Sequence, residues 1–184
     1  FADAAITPDG TKLFLVSRNE DSVLTLDAAP GNSQPAYTSI NLNYSPRALA
    51  ISADGTRAYV TYSNNGSKVS VIDTATLAVI ATVPLVGDPN PDYIVPAGYQ
   101  IEWYQPDAIA LSPNGTRAYV IADQGGFPAK VLVIDTVTLG IVDSVRVGTD
   151  PLNLMASPDG KRVYVANLNS NSVSVIDTAT NTVA

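Results

Sequence analysis

Short runs of alternating apolar and polar residues, rich in β-branched and aromatic side chains, are separated by turn-forming residues along the chain. Residues 47–52 and 57–62 alternate in this way on either side of Asp54-Gly55. Alternation with a period of two, broken by such a turn, predicts two antiparallel strands. Residues 68–74 and 78–84 add a third and a fourth run. This stretch therefore predicts a sheet of four antiparallel strands with short connections.

The same order of strands and turns occurs four times. The turn glycines Gly10, Gly55, Gly115 and Gly160 follow one another at spacings of 45, 60 and 45 residues. One four-stranded sheet cannot bury both of its faces, but sheets packed side by side around an axis can. A repeat of this length built from strands predicts an all-β fold, a β-propeller. We predict a single propeller segment over residues 1–184, with four four-stranded antiparallel blades near 1–44, 45–86, 106–148 and 151–184.

The second strand of each unit carries a related motif. It reads Tyr59-Val-Thr-Tyr62, Tyr119-Val-Ile-Ala122 and Tyr164-Val-Ala-Asn167, and Phe14-Leu-Val-Ser17 is the most divergent copy. These residues, with the preceding turn and a later Ile-Asp-Thr, resemble the YVTN family of β-propeller repeats. The resemblance implies blades of archaeal and bacterial surface or exported proteins, with more distant kinship to redox-enzyme propellers and lactonases.

The number of blades in the whole ring is a separate question. The chain begins at a first strand and ends at a fourth, which leaves no spare strand to pair its two ends within one blade. Four blades alone would also form a tight ring. We expect part of a seven- or eight-bladed ring, completed by missing chain or by self-association with a second copy.

Composition excludes several classes of function. The net charge is -7, and the ten Lys and Arg residues are scattered along the chain, with Lys161 and Arg162 the one adjacent pair. Binding of nucleic acid or of an acidic membrane surface needs clustered cations, so neither is expected. No apolar run is long enough to insert into a bilayer. The sequence contains no Cys and no His, which removes disulfides, thiolate sites and the commonest general base. Few charges and many small polar residues favour an extracellular, cell-surface or periplasmic protein.

Residues present in every unit are interpreted as structural. The aspartates that end the third strands (Asp27, Asp73, Asp135 and Asp177) are expected to cap the following turns by accepting backbone N–H bonds. The second-strand tyrosines Tyr59, Tyr119 and Tyr164 are expected to pack between blades. The basic residues Lys12, Arg57, Arg117 and Arg162 are interpreted as solvated edge charges.

The largest departure from the repeat is an insertion at 87–105, between the second and third units. It holds the only tryptophan and four nearby prolines restrict it. Strand direction places it on the same face as the Gly-Gly-Phe-Pro loop of the third unit, which we call the top face. Aromatic side chains on a supported loop are typical of recognition surfaces. The predicted ligand- or partner-binding residues are Arg18, Arg47, Tyr93, Tyr99, Glu102, Trp103, Tyr104 and Phe127. The alternative is that Trp103 and Tyr104 only cover the barrel.

No cofactor and no catalytic residue are predicted. Asp88, Asn90 and Asp92 alternate oxygen donors as in a calcium loop. The segment lacks the glycine that follows in such loops, and Glu102 lies too far along the chain, so a Ca²⁺ site is a minor alternative.

Two classes of function remain. The first is a non-catalytic scaffold or interaction module of an exported or cell-surface protein. It would bind a protein, or a small-molecule or glycan ligand, through its top-face loops. The alternative is half of an enzymatic propeller, either a lactonase-like hydrolase or a haem- or redox-associated one, with catalytic residues outside this segment. No nucleophile and base can be placed together from the sequence.

Overall fold

The computed structural model describes residues 1–28, 37–42, 45–62, 67–85, 105–123 and 129–184, and within these ranges all regular structure is β-strand. The first sheet contains β1 (Asp3–Ile6), β2 (Lys12–Ser17), β3 (Ser22–Asp27) and β4 (Tyr37–Asn41). The second contains β5 (Pro46–Ile51), β6 (Arg57–Tyr62), β7 (Lys68–Asp73) and β8 (Val79–Pro84). The third contains β9 (Ile109–Leu111), β10 (Arg117–Ala122), β11 (Lys130–Asp135) and β12 (Ile141–Arg146). The fourth contains β13 (Pro151–Ala156), β14 (Arg162–Asn167), β15 (Ser172–Asp177) and β16 (Thr182–Val183).

Each sheet is an antiparallel meander in which neighbouring strands in the chain are neighbours in the sheet. A tight turn joins the first two strands, and its glycine has a positive φ, as at Gly55 (73°), where the Gly55 amide donates to the Ser52 carbonyl at 2.8 Å. Glycine adopts this backbone at little steric cost. Three of the four aspartates at the ends of the third strands cap the next turn as expected: the Asp73 carboxylate accepts from the Thr76 amide at 2.7 Å, and Asp135 and Asp177 do the same in their sheets. The turn that follows Asp27 lies mostly outside the described residues.

Three apolar clusters lie between successive sheets. We call the face of a sheet that carries the Tyr or Phe of its second strand the second face, and the opposite face the first face. In each of the first three sheets, the second face packs against the first face of the next sheet. Between sheets two and three, Tyr59 and Val71 contact a cluster that includes Val120 and Leu132. Between sheets three and four, Tyr119 belongs to the equivalent cluster. Period-two alternation thus buries both faces of the inner sheets, which is the packing that stabilises the array.

The sheets follow one another in chain order around a common axis. The first strands contact in sequence, β1 with β5, β5 with β9 and β9 with β13, so they lie nearest the axis. The Asp3 carboxylate also accepts from the Leu49 amide at 2.9 Å, joining the first two of these strands. The predicted fold class is confirmed: four four-stranded antiparallel sheets fit part of a propeller. The exact blade limits stay predictions, because residues 86–104 lie outside the described ranges.

The basic residues after the turns differ from the expectation of purely solvated charges. Lys12 donates from Nζ to the Thr74 carbonyl of the next sheet at 2.8 Å, and Arg57 donates to the Thr136 carbonyl at 3.3 Å. Arg117 and Arg162 instead form ion pairs within their own sheets, with Asp135 and Asp177. Two of the four cations therefore link adjacent sheets at the turn end.

Candidate binding face

The top face is the end of the array where each first strand begins and each second strand ends. Leu85 and Gln105, which flank residues 86–104, both lie there: the Leu85 amide donates to the Ser67 carbonyl at 2.8 Å, and Gln105 pairs with Asp123. Asp123 in turn immediately precedes residues 124–128. These two repeat-breaking stretches, residues 86–104 and 124–128, are thus attached to the same end of the array, as strand direction predicted. A smaller departure from the repeat, at residues 28–35, follows β3 at the opposite end and lies mostly outside the described residues.

Gln105 and Asp123 bring the two attachment points into direct contact. They form an isolated antiparallel bridge in which the Gln105 amide donates to the Asp123 carbonyl at 2.6 Å. The exit of one repeat-breaking stretch is therefore hydrogen-bonded to the entry of the other. A backbone contact of this kind supports loops on a rigid element, which is how recognition surfaces are commonly built.

A β-bulge occurs at the start of the first strand in sheets two and four. Arg47 is the extra residue between the pairs Pro46–Tyr62 and Ala48–Thr61. Leu152 has the same place between Pro151–Asn167 and Asn153–Ala166. A bulge redirects the side chain of its extra residue and is often found next to functional sites.

The third sheet also has one extra residue just before its first strand, relative to the facing second strand. Gln105 lies opposite Asp123, and Ala108 accepts a hydrogen bond from the Ile121 amide at 3.1 Å, which leaves Asp107 at the position equivalent to Arg47. The bulge is repeated, but its side chain changes from cation to anion to leucine. The position of the extra residue is therefore set by the fold, while its chemistry varies from sheet to sheet.

Arg47 and Asp107 form an ion pair across the interface between the second and third sheets. Their side chains are partly exposed, at 23% and 30%. The pair therefore offers hydrogen-bond donors and acceptors beside the axis, close to the attachment points of the two repeat-breaking stretches. Guanidinium and carboxylate groups together suit a ligand that both donates and accepts hydrogen bonds.

The predicted site residues have different outcomes. Arg47 lies on the top face as described, and Arg18 is exposed in the turn between β2 and β3 at the same end. The predicted aromatic and acidic residues at positions 93, 99, 102, 103, 104 and 127 lie outside the described residues, as do the calcium candidates Asp88, Asn90 and Asp92. Sequence reasoning missed Asp107, although alignment of the turn glycines places it at the same repeat position as Arg47.

The turn end of the array, opposite the top face, carries repeated acidic groups and two clefts. The Ser52 hydroxyl and the Thr56 amide donate to Asp54 and lower the pKa of its carboxyl. Hydrogen bonds from Thr7 and Thr11 lower the pKa of Asp9 in the same way, and those from Ser157 and Lys161 lower the pKa of Asp159. The clefts, of about 460 and 310 Å³, lie between these turns in sheets one and two and in sheets two and three.

These turn-end groups are already engaged within the framework. Asn114 takes the place of aspartate in the third sheet with the same three contacts, to Ser112, to the Thr116 amide and to the Thr116 hydroxyl. A group whose charge can be lost without change of the turn is a structural acceptor. Among the described residues, no group of three or more potential metal-ligating side chains comes together. The part of the chain that the structure describes also contains no helix able to cross a membrane.

Comparison with known proteins places this geometry in a family. The family model described as "Lactonase, 7-bladed beta-propeller" matches residues 3–183. The chain belongs to this seven-bladed propeller family. The seven-bladed β-propeller protein Rv1057 of Mycobacterium tuberculosis is 32% identical over 149 residues, which are 80% of this chain and 33% of that protein.

Two solved structures are also similar. Hydrazine synthase of Kuenenia stuttgartiensis has 27% identity and a TM-score of 0.78, over 100% of this chain and 47% of that one. A 6-phosphogluconolactonase candidate of Bacteroides uniformis has 22% identity and a TM-score of 0.69, over 99% of this chain and 52% of that one, and shows the fold alone. The chain thus spans between a third and about half of these relatives.

Proposed function

We propose that this propeller segment is a non-catalytic interaction module that binds a partner through its top face. The observation that carries the proposal is the combination of two contacts. The Arg47–Asp107 pair sets polar groups beside the axis, and the Gln105–Asp123 bridge joins the attachment points of both repeat-breaking stretches. Among the described residues, the Asp and Asn acceptors of the turn end recur from sheet to sheet.

A neutral glycan or a protein surface rich in hydroxyl and amide groups is the ligand chemistry that fits best. An Arg–Asp pair can both donate to and accept from hydroxyl groups. The net charge of -7 opposes the approach of polyanions. Residues 86–104 also contain the tryptophan and three tyrosines, whose rings suit stacking on sugars or burial in a protein interface.

An exported or cell-surface location is part of this proposal. Support comes from the acidic, cysteine-free composition and from the resemblance of the second-strand motifs to YVTN repeats. The motifs beginning at Tyr59, Tyr119 and Tyr164 all fall within second strands, where that type of repeat has them. We propose that the repeats are of the YVTN type.

A lactonase-like enzyme is the second candidate. The family is described by the word lactonase, and a phosphogluconolactonase candidate shares the fold. In that case this chain supplies half of the ring, and Arg47 and Asp107 orient a substrate whose reacting groups lie elsewhere. The sequence itself contains no His or Cys to act as base or thiol nucleophile.

Trp103, the only tryptophan, makes a direct binding experiment possible. The probes are neutral hexasaccharides of glucose, mannose and N-acetylglucosamine, with an oligogalacturonate as the acidic comparison. We expect a neutral probe to change Trp103 emission and Arg47→Ala to weaken that binding. Arg117→Ala is the matched control, because it also removes one cation and one ion pair, but at the turn end. Equal weakening by both variants would contradict a top-face site.

The enzymatic candidate is tested by adding 6-phosphogluconolactone to a complete seven-bladed ring that contains this chain and following acid release. Hydrolysis above the spontaneous rate, lost in Asp107→Asn, would favour that candidate over the interaction module. A rate equal to that of the buffer is expected for the module.

A further inference from the structure

At the turn end, three residues that line the cleft between the second and third sheets depart from the repeat. Where the other three sheets have proline as the second residue of the turn, the second sheet has Ala53. Where the others have aspartate as the third residue, the third sheet has Asn114. Two residues after the capping aspartate, the alanine of the other sheets is replaced by Val137 in the third. All three line the cleft of about 310 Å³, so its lining differs from the repeated framework.

Tyr59 also lines this cleft and brings a hydroxyl group to it. The residue is only 3% exposed, and among the described residues its hydroxyl has no hydrogen-bond partner. The hydroxyl of a buried tyrosine is normally hydrogen-bonded. The Tyr59 hydroxyl is therefore available to donate to a molecule bound in the cleft.

Arg57 and Asn114 add further donors to the same cleft. Arg117 and Arg162 pair with aspartates of their own sheets, but Arg57 forms no ion pair in the part of the chain that the structure describes. One of its N–H groups donates to the Thr136 carbonyl at 3.3 Å, which leaves the others for a ligand. The Oδ1 atom of Asn114 accepts all three hydrogen bonds of its turn, so the Nδ2 group is also available. An aspartate here, as in the other sheets, would instead place a carboxylate in the cleft.

Asp54 is the one carboxylate among the described residues that line this cleft. Its Oδ1 atom accepts from Ser52 and Thr56, whereas Oδ2 accepts from no described residue. The cleft therefore combines a guanidinium, two neutral donors and a carboxylate. Asp54 would repel a simple anion and Arg57 a simple cation, but a molecule with both charges is attracted by each.

We propose that this cleft binds a small zwitterion with an aliphatic group, of the chemical class of a free α-amino acid. Three donors hold its carboxylate: Arg57, Asn114 and Tyr59. Asp54 accepts from its ammonium group, and Val137 contacts its aliphatic chain. The volume of about 310 Å³ suits a ligand of this size. The site lies at the opposite end of the array from the top face and is independent of it.

Calorimetric titration of a complete seven-bladed ring that contains this chain tests the ligand class. The probes are L-leucine, isocaproate, which lacks the ammonium group, and isoamylamine, which lacks the carboxylate. We expect L-leucine to bind and each of the other two to bind about tenfold more weakly or less, the usual loss with one hydrogen bond to a charged group. Isocaproate or isoamylamine binding as tightly as L-leucine would overturn the proposal, as would a lack of binding by L-leucine.

Asn114→Asp tests the place of the site. It gives the turn the residue of the other three sheets, so the fold should be kept, but it sets a carboxylate against that of the ligand. We expect L-leucine to bind about tenfold more weakly. Asn169→Asp is the matched control, because it adds the same charge in the exposed turn between β14 and β15, and should leave binding unchanged.

Tyr59→Phe tests the hydroxyl alone. Phe14 occupies the equivalent position in the first sheet, so the fold accepts phenylalanine there. We expect several-fold weaker binding of L-leucine. Tyr119→Phe is its control, because Tyr119 lines neither turn-end cleft. Equal effects of either variant and its control would overturn the proposal.

Discussion

The top face and the turn end are built from the same sixteen strands, yet they differ in what is repeated. At the turn end, an Asp or Asn side chain accepts the same hydrogen bonds in every sheet, as Asp54 and Asn114 do. At the top face, equivalent bulged positions carry Arg47, Asp107 and Leu152. Repetition is what a scaffold needs, because each sheet must fit the next. Variation at a fixed position is what a binding site needs.

The largest effect on stability is expected at the top face, at Gly148. Gly148 lies between β12 and β13, and an added Cβ would come within 2.6 Å of the buried Asn167 side chain and 2.4 Å of the Ser170 hydroxyl. We expect Gly148→Ala to lower the free energy of unfolding by about 2 kcal/mol, the usual cost of overpacking. Urea denaturation measures it. Gly140→Ala, whose Cβ would meet only Thr138 at 3.6 Å, is the control and should be close to neutral.

A smaller effect is expected from the turn glycines. Gly55→Ala and Gly115→Ala both force a side chain into a positive φ, which costs about 1–2 kcal/mol. At Gly55 the new Cβ would also press on Pro8 of the first sheet at 3.2 Å, while at Gly115 nothing lies within 4 Å. Gly55→Ala should therefore be the more destabilising of the two in urea denaturation. The reverse order would show that the turns of adjacent sheets do not pack as described.

The smallest effect concerns charge at the turn end. The pKa of Asp54 is lowered in the folded state, chiefly by the Ser52 hydroxyl and the Thr56 amide. The ionised carboxylate therefore stabilises the fold fully above its unfolded pKa, and this contribution is lost as the pH falls through the lower folded value. Asp54→Asn should keep the turn, as Asn114 does, and should reduce the acid-induced loss of stability. Urea denaturation at neutral and acidic pH measures how the free energy of unfolding depends on pH in the unchanged protein and in Asp54→Asn. The same pH dependence in both proteins would refute the assignment.

Much of the framework follows from the sequence because it depends on local patterns. Alternation and Asp-Gly turns predict where the strands begin and end. Because Tyr59 and Tyr119 occupy equivalent repeat positions, they indicate which face of a sheet packs against the next sheet. The bulges at Arg47 and Leu152 could not be predicted, since one surplus residue in a strand leaves the apolar pattern almost unchanged. The links from Lys12 and Arg57 to the neighbouring sheet were also missed, because they depend on the spacing between sheets.

The candidate site was predicted less completely, because it also depends on contacts between sheets. Strand direction sufficed to place residues 86–104 and 124–128 at one end, since it requires only the order of strands. The partner of Arg47 required knowledge of which side chains face each other across two sheets. The sequence places Asp107 at the repeat position of Arg47, but their ion pair depends on the contact between the second and third sheets.

Amide hydrogen exchange with and without the best-binding hexasaccharide tests the central claim most directly, because it reads both ends of the array at once. We predict slower exchange at the top face, at residues 45–48 and 105–107 and around Asp123, with no change in the turns at 7–12, 52–57 and 112–117. Protection confined to the turn residues, beside the two clefts, would contradict the account and move the binding site to the opposite end.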